Sequence, residues 1–164
     1  MPRANTAITS LETALDLAVW LENHGQAFYE RAAATTDGDL SELFNALAEQ
    51  ERQHGIIYQR LYAAATGKNP REEQLLGEYG RFINLLSREV TRTLTREIPA
   101  TRAELLARAL QFEKDTLLYF TEIKALFGTG PQPELDAICA EEKRHIARLL
   151  ELAEPPAAAA TPDD

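Results

Sequence analysis

The chain repeats one polar pattern at a fixed interval, and that repeat limits what it can fold into. Glu51-Arg52-Gln53-His54 returns 91 residues later as Glu142-Lys143-Arg144-His145. Glu22 precedes Glu51 by 29 residues, and Glu113 precedes Glu142 by the same 29. Each solitary glutamate is followed by two adjacent aromatics, Phe28-Tyr29 in the first half and Tyr119-Phe120 in the second. A duplication held at one interval constrains a fold more than any single short motif. It yields six candidate metal ligands: Glu22, Glu51, His54, Glu113, Glu142 and His145.

The apolar residues around these positions recur at helical spacing. Leu11, Leu15, Ala18, Glu22, Gly25, Tyr29 and Ala32 form one stripe, and Leu40, Phe44, Leu47, Glu51, His54, Tyr58 and Leu61 a second. Leu106, Ala109, Glu113, Thr116, Phe120 and Ile123 form the third, and Leu135, Ile138, Glu142, His145, Leu149 and Leu152 the fourth. Steps of three and four place each set on one face of a helix. The glutamates and histidines therefore stand where the pattern calls for hydrophobes.

Start and stop signals bound these helices. Thr9 with Glu12, and Thr101 with Glu104, have the spacing of a capping box, and Asp39 with Glu42 marks another start. Residues 1–8 read as a loose lead-in, with the first helix running to about Thr35. Gly67 is expected to close the second helix, Pro133 to lie in the first turn of the fourth, and Pro155-Pro156 to end it. Residues 68–100 form a long connection whose apolar pattern (Leu75, Tyr79, Phe82, Leu86, Val90) predicts one short helix interrupted by Gly77 and Gly80. A connection of that length can travel the length of a bundle. The expected fold is all-α: one antiparallel four-helix bundle over residues 1–153, with one long crossover and a disordered tail over 154–164.

Composition narrows the function. A net charge of −9 opposes binding to nucleic acid and to anionic membranes. Arg88, Arg92 and Arg96 are read as a solvated helix face. Cys139 is the single cysteine, which excludes an intrachain disulfide and a Cys-x-x-Cys metal knuckle and suggests a buried, inert thiol. No apolar run reaches the roughly 18–20 residues of a membrane span, and the N-terminus lacks the apolar segment of a secretion signal. The expected compartment is the cytoplasm.

Ionised carboxylates in an apolar interior are costly, by several kcal/mol each on the order of magnitude of desolvation penalties. Four of them in one bundle require compensation. Counting residues from each turn places the paired glutamates at similar heights, and each histidine sits one turn beyond its glutamate. Four carboxylates and two neutral imidazoles match two divalent cations, and the absence of thiolates favours iron or manganese over zinc or an iron–sulfur cluster. A Glu from each of two helices with Glu-x-x-His from each of two others is the donor pattern of dinuclear carboxylate bundles. One such pair alone is usually a surface feature.

The other candidates are weaker. Glu141 is read as the exposed neighbour of Glu142, since its counterpart in the first half is Gln50. His24 is expected to be solvated, Trp20 to pack, and Asp136 to be either a helix-start residue or an orienting group. Tyr29 lies two turns beyond Glu22, where it either packs in the core or hydrogen-bonds a ligand carboxylate.

In these residues the chain resembles the ferritin-like superfamily and, within it, the rubrerythrin-like di-iron proteins. Glu22-Asn-His-Gly-Gln-Ala-Phe28-Tyr29, Ala48-Glu-Gln-Glu51-Arg-Gln-His54, Phe112-Glu113-Lys114-Asp115 and Glu142-x-x-His145 carry the resemblance, which spans roughly residues 10–153. It implies a ferritin-like bundle with a carboxylate-bridged di-iron centre that reacts with hydrogen peroxide or dioxygen. Two departures stand out. The Cys-x-x-Cys pairs of a rubredoxin module are missing, so electrons are expected from a separate donor protein. The family's extra glutamate, one turn after the third-helix ligand, is replaced by Thr116. The resemblance implies a peroxide reductase acting through two iron ions, with manganese or a mixed pair as alternatives. A dioxygen-driven Fe(II) oxidase or iron-storage protein is the second expectation, and a metal-free structural bundle the third. Tyr62 and Phe82 are read as exposed apolar residues of a homodimer.

Overall fold

The computed structural model describes residues 7–65, 72–128 and 132–154. Five helices account for most of them: α1 (Leu11–Ala34), α2 (Gly38–Ala64), α3 (Glu78–Leu94), α4 (Arg102–Leu126) and α5 (Pro133–Ala153), with a short 3₁₀ turn at Glu72–Leu76 before α3. No strand occurs among the described residues. The short links after α1 and α4 force antiparallel hairpins, and α1 packs along α2 while α4 packs along α5. The two hairpins close on each other through α1 with α4 and α2 with α5. This is the expected all-α bundle with one crossover.

Capping chemistry sets the helix starts, one residue from where spacing alone puts the first. Ser10, not Thr9, caps α1: its hydroxyl accepts from the Thr13 amide while the Thr13 hydroxyl accepts from the Ser10 amide. Threonine thus takes the place usually filled by glutamate or glutamine, and Glu12 is only an acidic first-turn residue. Asp37 rather than Asp39 occupies the cap of α2, without a side-chain bond. Thr101 does cap α4, accepting from the Glu104 amide and donating to the Glu104 carboxylate. Pro133 opens α5 as expected. Gly67, Pro155-Pro156 and the tail lie outside the described residues.

The crossover differs most from expectation. Gly77 does break the helical run, between the 3₁₀ turn and α3, but Gly80 does not: α3 starts at Glu78, includes Gly80 and has 17 residues. Gly77 is its cap residue. Gly80 lies where the chain folds back on the preceding turn, and a β-carbon there would lie 1.8 Å from the Leu75 carbonyl oxygen. Helix α3 ends at Leu94, ahead of Ile98-Pro99, and packs on α4 and α1. Tyr79 donates to the Glu122 carbonyl at 3.0 Å, which ties α3 to α4. Ile8, just ahead of α1, is tied down as well. The Ile8 amide donates to Asn84 at 2.7 Å, Asn84 donates back to the Ile8 carbonyl at 3.1 Å, and Ile8 is buried.

Leu15, Leu21, Phe28, Leu40, Phe44, Leu47, Phe112 and Ile123 fill the core on either side of the polar level, all fully buried. Tyr62 and Phe82 are exposed, at 45% and 43%, as the sequence suggested. No helix is long and apolar enough among the described residues to cross a membrane.

Candidate metal centre

Each hairpin brings one solitary glutamate opposite one Glu-x-x-His, so the four bundle helices deliver all six candidates to one level of the core. All six are buried, with exposures of 0–1%. Glu22, Glu51, His54 and Glu142 offer donor atoms within 4.8 Å of one another, and so do Glu51, Glu113, Glu142 and His145. Glu51 and Glu142 belong to both groups. Shared carboxylates between two four-donor sets are what two neighbouring metal ions need.

The histidines enter in one orientation. Nδ1 of His54 lies 3.0 Å from Glu142 and 3.8 Å from Glu22. Nδ1 of His145 lies 3.2 Å from Glu113 and 3.5 Å from both Glu51 and Glu142. The rings run nearly parallel, 5.8 Å apart. Thus Nδ1 faces the centre in both, and Nε2 faces away.

Close approach here does not mean satisfied hydrogen bonding. Both oxygens of Glu22, both of Glu142, Oε1 of Glu51 and Nδ1 of His54 are buried without a hydrogen-bond partner. Buried polar atoms are nearly always paired in folded proteins. A cluster of unpaired oxygen and nitrogen donors with −4 formal charge fits two divalent cations, and the residues present therefore suit a dinuclear site. Without metal, protons take up part of that role. Burial, with the repulsion of Glu142, raises the Glu22 carboxyl well above its usual range, and burial with Glu22 and Glu142 does the same for Glu51. Glu113 is pushed up to about 8 by burial and by Glu142. Burial also disfavours the charge on Glu142, but the close approach of the His145 and His54 imidazoles outweighs it and holds that carboxyl low. Burial opposes imidazolium formation, yet the same carboxylates raise His54 to about 9 and His145 to about 11.

Packing shapes the space as well. A β-carbon on Gly25 would come within 2.9 Å of Glu51 Oε2 and 2.7 Å of the Phe112 ring. Glycine is required there because a ligand carboxylate and an aromatic ring already occupy the place of a side chain. Tyr29, fully buried, donates its hydroxyl to Glu113 Oε1, so of the two roles left open by its position it takes the hydrogen-bonding one while also packing against Phe44 and Phe112.

Of the residues outside the six, Glu141 departs from expectation, whereas His24 is exposed as read and Asp136 takes the helix-start role of its two. Glu141 is not a free surface neighbour: its carboxylate is 2.7 Å from His54 Nε2, with its side chain 35% exposed. His24 is stacked on Trp20 at 3.7 Å and bonded to the Trp20 carbonyl at 2.8 Å, away from the centre. Asp136 pairs with Lys124 at the start of α5, so it orients no ligand. Trp20 packs as read, and Cys139 is half-buried, with its thiol pushed up by burial. Thr116 spends its hydroxyl on the carbonyls of Phe112 and Glu113, at 3.0 and 3.1 Å.

The Rubrerythrin family model matches residues 13–153, which takes in all six of these positions and both hairpins. The chain belongs to the rubrerythrin family. No curated protein and no solved structure is matched. Its rubrerythrin-type bundle, with two overlapping groups of buried Glu and His, is compatible with a di-iron site.

Proposed function

We propose that this rubrerythrin-family protein binds two iron ions through Glu22, Glu51, His54, Glu113, Glu142 and His145 and reduces hydrogen peroxide to water. The observation that carries this reading is the sharing of Glu51 and Glu142 between two four-donor groups in a dry bundle core. That sharing would hold two metals side by side against one O–O bond. When bound, iron supplies two electrons and a Lewis acid for the peroxide oxygens. Reduction of hydrogen peroxide to two waters consumes two electrons and two protons, and a separate electron-donor protein would restore the reduced state.

The chain's own residues control charge and protons. Glu51 and Glu142, common to both donor groups, would serve both metal positions, while Glu22 and Glu113 would each serve one. Tyr29 keeps a hydroxyl proton on Glu113 Oε1 at the edge of the centre. His54 Nε2 reaches the half-exposed Glu141, which links that side of the centre to solvent.

Thr116 favours a second reading. It offers no seventh donor: threonine has no carboxylate, and its hydroxyl is engaged with the backbone of its own helix. A six-donor set of this kind suits Fe(II) oxidation by dioxygen and iron handling. Anaerobic Fe(II) loading followed by stopped-flow mixing of split samples with peroxide and with dioxygen separates the two. About two irons per chain and faster oxidation by peroxide support the first reading. Faster oxidation by dioxygen with repeated iron turnover supports the second, and failure to bind iron stoichiometrically overturns both.

A further inference from the structure

The 91-residue interval pairs His54 with His145 and Gln50 with Glu141. Gln50 immediately precedes the shared Glu51, as Glu141 precedes the shared Glu142. On one side of this pseudo-twofold a hydrogen bond is formed, between His54 Nε2 and Glu141 at 2.7 Å. On the other side the two corresponding atoms, His145 Nε2 and Gln50 Oε1, are both buried and both unpaired. With Nδ1 of His145 turned toward the carboxylates, its Nε2 is the donor nitrogen, and Gln50 Oε1 is an acceptor. A hydrogen bond between them would satisfy both groups at once and complete the symmetry.

We infer that Gln50 positions His145 by accepting its Nε2–H, as Glu141 does for His54, and that the amide-for-carboxylate difference makes the His54 side the tighter of the two metal positions. An ionised acceptor forms the stronger hydrogen bond and pushes electron density onto the imidazole, so Nδ1 becomes a better metal donor; a neutral amide does less. A second difference acts in the same direction. Tyr29 donates to Glu113 on the His145 side, drawing charge from that carboxylate. Its counterpart Phe120 has no hydroxyl for Glu22, and the buried Tyr58 hydroxyl is unpaired. The donor set is symmetric, and the groups behind it are not.

The test is a titration of ¹⁵N-histidine-labelled apo-protein with Zn(II), which is redox-inert, followed through the imidazole nitrogens. The three histidines give separable signals, His24 serving as the reference outside the centre. His54 responds to the first equivalent and His145 to the second, with affinities about ten- to a hundredfold apart. Gln50→Glu tightens the second step, and Gln50→Glu combined with Glu141→Gln reverses the order. Gln50→Leu accelerates solvent exchange of the His145 Nε2–H while helix content by circular dichroism stays unchanged. His145 filling first in the native chain, or an order unaltered by the exchange of the two residues, overturns the inference. It rests on the two-metal centre of the proposed function but not on its oxidant. A protein that takes up two Zn(II) and ignores peroxide fails that reading alone, whereas one that binds no Zn(II) fails both.

Discussion

The α1–α2 half and the α4–α5 half offer the same three donors, two glutamates and a histidine, at the same spacing, yet they surround them differently. Where the first half has Gly25, the second has Thr116; where the first has Tyr29 and Gln50, the second has Phe120 and Glu141. The residues that agree reach the centre with a side-chain oxygen or nitrogen. Those that differ touch the donors from behind or fill the space beside them. Two halves can thus keep one coordination chemistry while diverging in everything that tunes it, because coordination demands particular atoms at particular places and packing accepts many solutions.

The largest effect comes from breaking what the halves share. Glu142→Ala should abolish binding of both metals, because that carboxylate belongs to both donor groups, whereas Glu22→Ala should leave one metal per chain. Bound Co(II), measured by absorption and by elemental analysis, checks both. Equal losses in the two variants would refute the shared role of Glu142. Removing Glu22 should also raise the melting temperature of the metal-free protein, since a buried carboxylate without a hydrogen-bond partner is deleted.

The metal-free protein should become less stable as pH rises. The folded chain raises the Glu22, Glu51 and Glu113 carboxyls above 4.5, so it binds more protons than the unfolded chain; their contribution is full below that value and is lost upward, for Glu113 through about 8. His54 and His145 act in the same sense. Their contribution is full below 6.5 and is lost as pH rises through about 9 and about 11. Glu142 acts in the opposite sense, but only in acid, where its low-lying carboxyl finally protonates. Thermal melts of apo-protein between about pH 6 and about pH 9 should show a falling midpoint, and metal loading should flatten the trend. At neutral pH, loading should release at least three protons, one each from His54, His145 and Glu113, measurable in weakly buffered solution.

How much of this was legible in the sequence differs by level. The bundle and the convergence of the six candidates follow from periodicity and from the 91-residue repeat, which are properties of the text itself. The role of Glu141 did not, and comparison with Gln50 pointed away from it. Whether Glu141 matters depends on which ring nitrogen of His54 faces the carboxylates, and that orientation is set only when the helices pack. The need for glycine at position 25 was hidden for the same reason, because Phe112 and Glu51 approach it from other helices. Gly80 was misleading in another way. Low helix propensity suggested an interruption at both Gly77 and Gly80; the first does break the run and caps α3, whereas the second lies inside α3 and admits the Leu75 carbonyl.

Smaller effects test the packing behind each half. Gly25→Ala should destabilise the apo-protein by about 1–3 kcal/mol through overpacking against Phe112 and Glu51, despite alanine's better helix propensity. Thr116→Ala, at the corresponding position, should cost no more than about 1 kcal/mol, since its hydroxyl bonds only to carbonyls of its own helix. Urea denaturation of the two variants gives the comparison directly. Equal destabilisation would mean that the space beside Glu51 is not the constraint the geometry indicates.

The smallest effect should come from making the halves alike at Tyr29. Tyr29→Phe reproduces the Phe120 side, leaves the ring packing against Phe44 and Phe112, and removes only the donor to Glu113. The loss should be about 1 kcal/mol in the metal-free protein, the usual net value of one such bond. In the loaded protein the direction changes. Glu113 regains the charge it had shared with the phenol and becomes a stronger donor, so the Zn(II) steps should move closer together even as the apo-protein weakens. Opposite signs for stability and for metal affinity in one variant would distinguish a residue that tunes the centre from one that merely packs beside it. A parallel loss of both would make Tyr29 a packing residue, and the asymmetry of the two halves would then rest on Glu141 and Gln50 alone.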